Sequence, residues 1–299
     1  MSTDTAPGLP AGLRRRVLAA ARAERLPGRP VPDAPPISPA EAFARTADAF
    51  DELLATLDGP AWRVPVLRDL DVQGLVGHLI GVERDVQRAL AGDPAVADAD
   101  HVASTQRSAE REPGRAPELT RRAFRTAVNR TLAMRPPDDD GDDRCLAVHG
   151  LRLPPPALLV VRAFELWTHE NDIRAAVGLP ATVPDASTLR LMTELAVSFL
   201  PFGVLRAAPE AGPLDVHLVL TGPGGGTWDV PLGGGRGSPG KPGPGTPAPV
   251  PEVLLVVDAV GFCRLVADRV DPDDVAARVE GPADGAAVVL AGAAALALD

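Results

Sequence analysis

Residues 163–172 read Ala-Phe-Glu-Leu-Trp-Thr-His-Glu-Asn-Asp, and they constrain the fold more than any other stretch of the chain. Glu165, His169 and Asp172 fall at i, i+4 and i+7, which on a helix stacks their side chains on one stripe. Followed back toward the N-terminus, the same stripe runs through Leu158 and Val161, so it is the face turned to a core. An acid and an imidazole one turn apart on such a face are either half of a metal site or a costly structural cluster.

The rest of the chain bears on that choice. Its 299 residues are enough for two domains of ordinary size, and 45% of them are hydrophobic. Aromatics make up only 3% and tyrosine is absent, so Ala, Leu and Val must fill the interior, which favours closely packed helices. A formal charge of −10 argues against nucleic acid or an anionic membrane as partner. Cys145 and Cys263 lie far apart in unlike contexts, which points away from a disulfide framework and toward a reduced, cytoplasmic setting. No apolar run of membrane-spanning length occurs, and Arg14-Arg15-Arg16 precedes too short an apolar stretch for a signal peptide.

Residues 1–37 read as an appendage with one short helix between Pro-rich stretches. The body, 38–205, opens on Ser38-Pro39-Ala40-Glu41, a capping box with proline at the first helical position. Phe43, Ala47, Phe50 and Leu54 follow at helical spacing, and Gly59-Pro60 ends that helix. A second helix runs from an Asp71 cap to about Ala91, with Leu75, Leu79, Val82, Val86 and Leu90 on its apolar stripe. His78 lies within that stripe between Gly77 and Gly81, each costing about 1 kcal/mol of helix stability relative to alanine, as though something packs closely there. Residues 93–115, with His101, read as a polar connection. A third helix spans Pro117 to Met134 with Leu119, Phe124, Val128 and Leu132 inward, and a fourth runs from Pro155 to Val177. A fifth, Asp185 to Phe199, covers the bundle or bridges to the C-terminal domain. The remainder, 206–299, reads as a small α+β domain: strands near 215–221, 227–232, 252–257 and 277–280, helices near 259–270 and 284–296, and a Gly/Pro-rich insertion at 233–249. The expected fold is a mainly α four-helix bundle joined to this α+β domain.

His78, Glu165 and His169, from two inward stripes, carry the case for a metal. Bundle cores house metal sites built from facing helices, and two imidazoles with one carboxylate suit zinc with a position left open. Asp172, one turn beyond His169, is a candidate support for its ring. Yet a Glu-x-x-x-His pair often marks no more than a half-exposed helix face, and a lone histidine is more often a satisfied core residue. Spacing alone leaves both readings open. His149 fits a loop hydrogen bond, His101 the entrance to a site, and His217 a structural place in a strand.

Three passages resemble the mycothiol-dependent maleylpyruvate isomerase family, within the DinB-like metal-binding bundles. Trp62-Arg-Val-Pro-Val-Leu with Asp69-Leu-Asp-Val-Gln-Gly-Leu-Val-Gly-His78-Leu is similar to its Trp-x-Val-x-Asp-Leu-x-x-His-Leu segment. Arg162-Ala-Phe-Glu165-Leu-Trp-Thr-His169-Glu-Asn-Asp172 is similar to its Glu-x-x-x-His-x-x-Asp helix. Val279-Glu-Gly-Pro-Ala-Asp-Gly resembles a turn of its C-terminal, sterol-carrier-like domain, with Pro282 where an aspartate is expected. The resemblance implies a divalent metal, usually Zn2+, on His78, Glu165 and His169. It further implies mycothiol as thiol cofactor or co-substrate, acting on a small electrophile by isomerisation or thiol transfer. It also implies a basic residue from the C-terminal domain at the substrate, for which Arg236 in the Gly/Pro-rich insertion is the nearest candidate. Cys145 follows an acidic run and Cys263 sits in an apolar helix, so neither is the expected nucleophile. The alternative is a non-catalytic descendant that keeps the bundle for binding or regulation.

Overall fold

The computed structural model describes residues 34–134, 145–233 and 252–298, all within one compact unit that spans 34–299. The helix expected near 11–25, the acidic run at 138–143 and Arg236 in the insertion lie outside the described residues.

Helix α1, Pro39–Thr56, starts where the capping box puts it, with the Ser38 hydroxyl accepting from Glu41 N–H at 3.1 Å. Helix α2, Val72–Leu90, is capped by Asp71, whose Oδ1 accepts from Gly74 N–H at 2.7 Å. Helix α3 is His101–Arg111, α4 is Pro117–Met134 and α5 is Pro155–Ala176. Helices α1, α2, α4 and α5 form the bundle, closing on Phe43, Phe50, Leu79, Phe124 and Phe164, all fully buried. Leu119, expected inward, is instead 41% exposed near the start of α4.

Three further elements depart from the sequence reading. Residues 101–111 are helix rather than connection: Asp100 caps α3 through Ala103 N–H at 2.8 Å, and the helix packs along α2. Gly77 and Gly81 are what admit it. A Cβ on Gly77 would lie 2.8 Å from the Ser108 carbonyl oxygen, and one on Gly81 3.0 Å from the Thr105 Cβ. Residues 146–153 form a hairpin of β3, Leu146–Val148, and β4, Leu151–Leu153, turning on His149 and Gly150, both at positive φ as a type I′ turn requires. An earlier short pair, β1 at Pro65–Leu67 and β2 at Leu70–Asp71, turns through Arg68, also at positive φ.

Helix α6, Ala186–Ala207, runs through Pro201 rather than stopping at Phe199. Its last turns are held by packing on α8, Ala283–Ala294. Among the described helices it is the one long and apolar enough to cross a membrane, but half of that window is buried inside the fold. Strands β5 (Leu214–Thr221), β6 (Gly226–Leu232), β7 (Val253–Asp258) and β8 (Ala277–Glu280) make a sheet of order β6-β5-β7-β8, with β5 and β7 parallel and the other pairs antiparallel. Alternation buries Val216, Leu218 and Leu220 with Val253, Leu255 and Val257. Helix α7 is Ala259–Val266, ending short of residue 270 because Asp268 takes positive φ.

Helices α6 and α8 cross at Gly203 and Gly292, where a Cβ on Gly203 would overlap the Gly292 carbonyl oxygen and one on Gly292 would overlap the Val204 side chain. Backbone cannot yield there as a flexible side chain can. Gly292→Ala is therefore expected to cost about 1–3 kcal/mol, measured as a lowered urea midpoint; an unchanged midpoint would mean the helices do not approach this closely.

Candidate metal centre

The bundle brings His78 from α2, His101 from α3 and Glu165 from α5 to one point, their ligand atoms within 4.8 Å of one another. His78 Nε2 lies 3.1 Å from His101 Nε2 and 3.7 Å from Glu165 Oε1, and His101 Nε2 lies 3.8 Å from the same oxygen. Glu165 and His78 are buried; His101 is partly open to solvent.

The tautomer of His78 is set by its neighbour. Thr105 Oγ1 donates its single proton to a backbone carbonyl, His101 O at 2.9 Å or Val102 O at 3.1 Å. It therefore accepts from His78 Nδ1–H at 2.7 Å, which leaves Nε2 as a bare lone pair facing Glu165. Burial, reinforced by the nearby His169, lowers the His78 pKa to about 3, and burial with His78 alongside lowers that of His101 to about 2.

Glu165 Oε2 pairs with the Arg162 guanidinium, while Glu165 Oε1 is buried with no hydrogen-bond partner. Arg162 in turn donates from Nε to Glu83 Oε1 at 2.9 Å, so one guanidinium serves two buried acidic side chains. An orphaned carboxylate oxygen beside an imidazole lone pair is a donor set that fits a divalent cation.

His169 is buried, with its ring edge-on to His78 at 6.1 Å between centroids, outside the close cluster. Its Nδ1 meets Asp172 Oδ2 at 2.9 Å, and Asp172 receives Arg269 Nε and Nη2 at 2.8 and 2.9 Å. Burial alone would raise the Asp172 carboxyl, but the bonds from His169 and Arg269 outweigh it and bring the pKa down to about 2. The structure thus brings the predicted His78 and Glu165 together, sets His169 apart on Asp172, and adds His101, which the sequence left at an entrance. The signal for it was the pair of glycines around His78. Of the other histidines, His149 sits beside His101, and His217 pairs across the sheet with Asp229 at 2.6 Å.

A cavity of about 340 Å³ opens onto the cluster. Arg68, Arg162 and Arg206 line it with His101 and Glu165, and Leu296 to Leu298 close one side.

Residues 43–174, which hold this whole constellation, match the mycothiol maleylpyruvate isomerase N-terminal domain. The match spans the helices of the bundle. The maleylpyruvate isomerase likeness extends beyond the matched domain in fold. A crystal structure of the mycothiol-dependent maleylpyruvate isomerase aligns with TM-score 0.54 at 13% identity, covering 80% of this chain and 91% of that one. A histidine-to-alanine variant of that enzyme aligns with TM-score 0.53 at the same identity and coverage. At such identity the likeness speaks to the fold. No curated protein matches the chain.

The histidines also fix a pH dependence. In the unfolded chain they take up protons near pH 6.5, whereas folded His78 and His101 stay neutral down to about 3 and about 2. Unfolding therefore binds protons across that window, and the metal-free protein is expected to lose stability progressively as pH falls from 6.5 toward 3. Thermal melts across that range check it. A midpoint that does not change would contradict neutral buried histidines.

Proposed function

We propose that this protein is a metal-dependent enzyme of the maleylpyruvate isomerase type, using mycothiol on a small acidic electrophile. The observation that carries the reading is Glu165 Oε1, buried and unpartnered, facing the lone pair of His78 Nε2 inside a bundle of that family. In this reading His78, Glu165 and His169 hold the cation, with Asp172 orienting His169 through Nδ1. Zn2+ suits two imidazoles and a carboxylate. A cation at that point supplies the acidity that ionises a thiol at neutral pH.

The chain's own groups set the rest. Arg68 and Arg206 on the cavity wall offer charge-assisted hydrogen bonds to substrate carboxylates, a role for which the sequence had only Arg236. Leu151, Leu158, Leu296 and Leu298 keep the cavity apolar opposite them and limit water. Neither cysteine is placed as a nucleophile there: burial, with Asp258 nearby, pushes the Cys263 thiol far up, and Cys145 is exposed ahead of β3.

Metal-loaded protein is expected to convert maleylpyruvate only when mycothiol is added, with the thiol recovered if the reaction is isomerisation and consumed if it is transfer. Loaded protein that leaves maleylpyruvate and other cis-unsaturated acids untouched in the presence of mycothiol would contradict the reading.

A further inference from the structure

His101 belongs to a chain of imidazoles in hydrogen-bond contact that ends on a carboxylate. His149 Nε2 lies 3.0 Å from Asp85 Oδ2, at the far end of α2 from His78. Hydrogen bonds from His149 and Ser104 hold the Asp85 carboxyl below its ordinary range against the opposing effect of burial, so it accepts and His149 Nε2 carries the proton. His149 Nδ1 lies 2.9 Å from His101 Nδ1, and His101 Nε2 faces His78 Nε2 from 3.1 Å. In the tautomer in which His101 donates from Nδ1 to His149, its Nε2 turns a lone pair to the point shared by His78 Nε2 and the orphaned Glu165 oxygen. A cation at that point would satisfy all three acceptors.

The scaffolding around this chain is built rather than incidental. His149 occupies the positive-φ position of the β3–β4 turn, where its N–H is tied to the Val96 carbonyl at 2.9 Å. Ser104 Oγ contacts His149 Nε2 at 3.2 Å, and Gly77 and Gly81 set the depth at which α3 docks. A ring nitrogen that is itself supported by an imidazole and a carboxylate has the arrangement of a metal-ligating histidine.

We propose that His101 is a further ligand of the cation that His78 and Glu165 hold, kept in its ligating tautomer by His149 and Asp85. The inference rests on the metal reading above and adds to it a ligand outside the Glu-x-x-x-His-x-x-Asp motif, from a helix whose sequence shows no metal-binding pattern.

Cobalt(II) titration of the metal-free full chain tests it, with chelator competition for affinity. His101→Ala is expected to weaken cobalt binding by tenfold or more, and Asp85→Asn by about tenfold, the usual scale for a group that orients a ligand. His101→Cys is the direct test, because a thiolate on cobalt(II) gives an intense near-ultraviolet charge-transfer band that the wild type lacks. The band's appearance in folded, cobalt-loaded His101→Cys supports ligation. Its absence there, with circular dichroism showing a native fold, overturns the assignment whatever the affinity of His101→Ala. Should the wild type itself bind no cobalt, the metal reading falls first, so the two failures are told apart.

Discussion

Alanine at His78 is expected to take the bound divalent metal from about one equivalent per chain to near zero, and thiol-dependent turnover with it. The expectation rests on position. The His78 ring is held at Nδ1 by Thr105 Oγ1, 2.7 Å away, a hydroxyl that also reaches the His101 carbonyl, and this turns Nε2 toward the cluster. The ring is also buried between α3 and α5, and alanine leaves a hole that no neighbouring donor is placed to fill. The fold itself should survive, since the loss is one partly polar side chain among a helix of buried apolar residues. Metal content by mass spectrometry, with circular dichroism as the control on folding, measures it. A His78→Ala protein that retains a full equivalent would place the metal elsewhere.

The second large effect is on stability. Arg162 is 1% exposed and lies between Glu83 and Glu165, with Glu83 Oε2 also accepting from Thr131 at 2.6 Å and Gln87 donating to the same Thr131 at 3.1 Å. Removing the guanidinium leaves two acids buried without their cation. Arg162→Ala is expected to cost about 3–5 kcal/mol, the usual penalty for breaking a buried pair from one side. Arg162→Met combined with Glu83→Leu should recover part of that, because it removes one of the two stranded acids and leaves Glu165. Urea denaturation of the single and double variants reads the difference. A single variant as stable as the wild type would show that Arg162 is not held in a dry core. The same arginine explains why Glu165 offers one free oxygen: its other oxygen is already committed.

Much of this was written plainly in the chain. The capping groups Ser38, Asp71 and Asp185 start their helices where the sequence put them, and the stripes through Leu79 and Phe164 carry His78 and Glu165 inward. What was hidden had physical reasons. Helix α3 buries only Thr105 and Ala109, so it has no apolar stripe to announce it, and its docking is encoded in glycines on a different helix. The β3–β4 hairpin turns on His149-Gly150, where Asn-Gly or Asp-Gly would have been the readable signal. Helix α6 continues past Pro201 because its far end packs on α8, a contact that local propensity does not contain. The Asp172–Arg269 pair joins residues 97 positions apart, which spacing alone could not foresee.

Calorimetric titration of Zn2+ into metal-free wild-type protein at neutral pH asks whether the point shared by His78, Glu165 and their histidine neighbours holds a divalent cation. One equivalent bound tightly, with little proton release from His78 and His101 at neutral pH because their buried rings are already neutral, is the predicted result. A flat titration, or binding unchanged when Glu165→Ala and His78→Ala are combined, would contradict it.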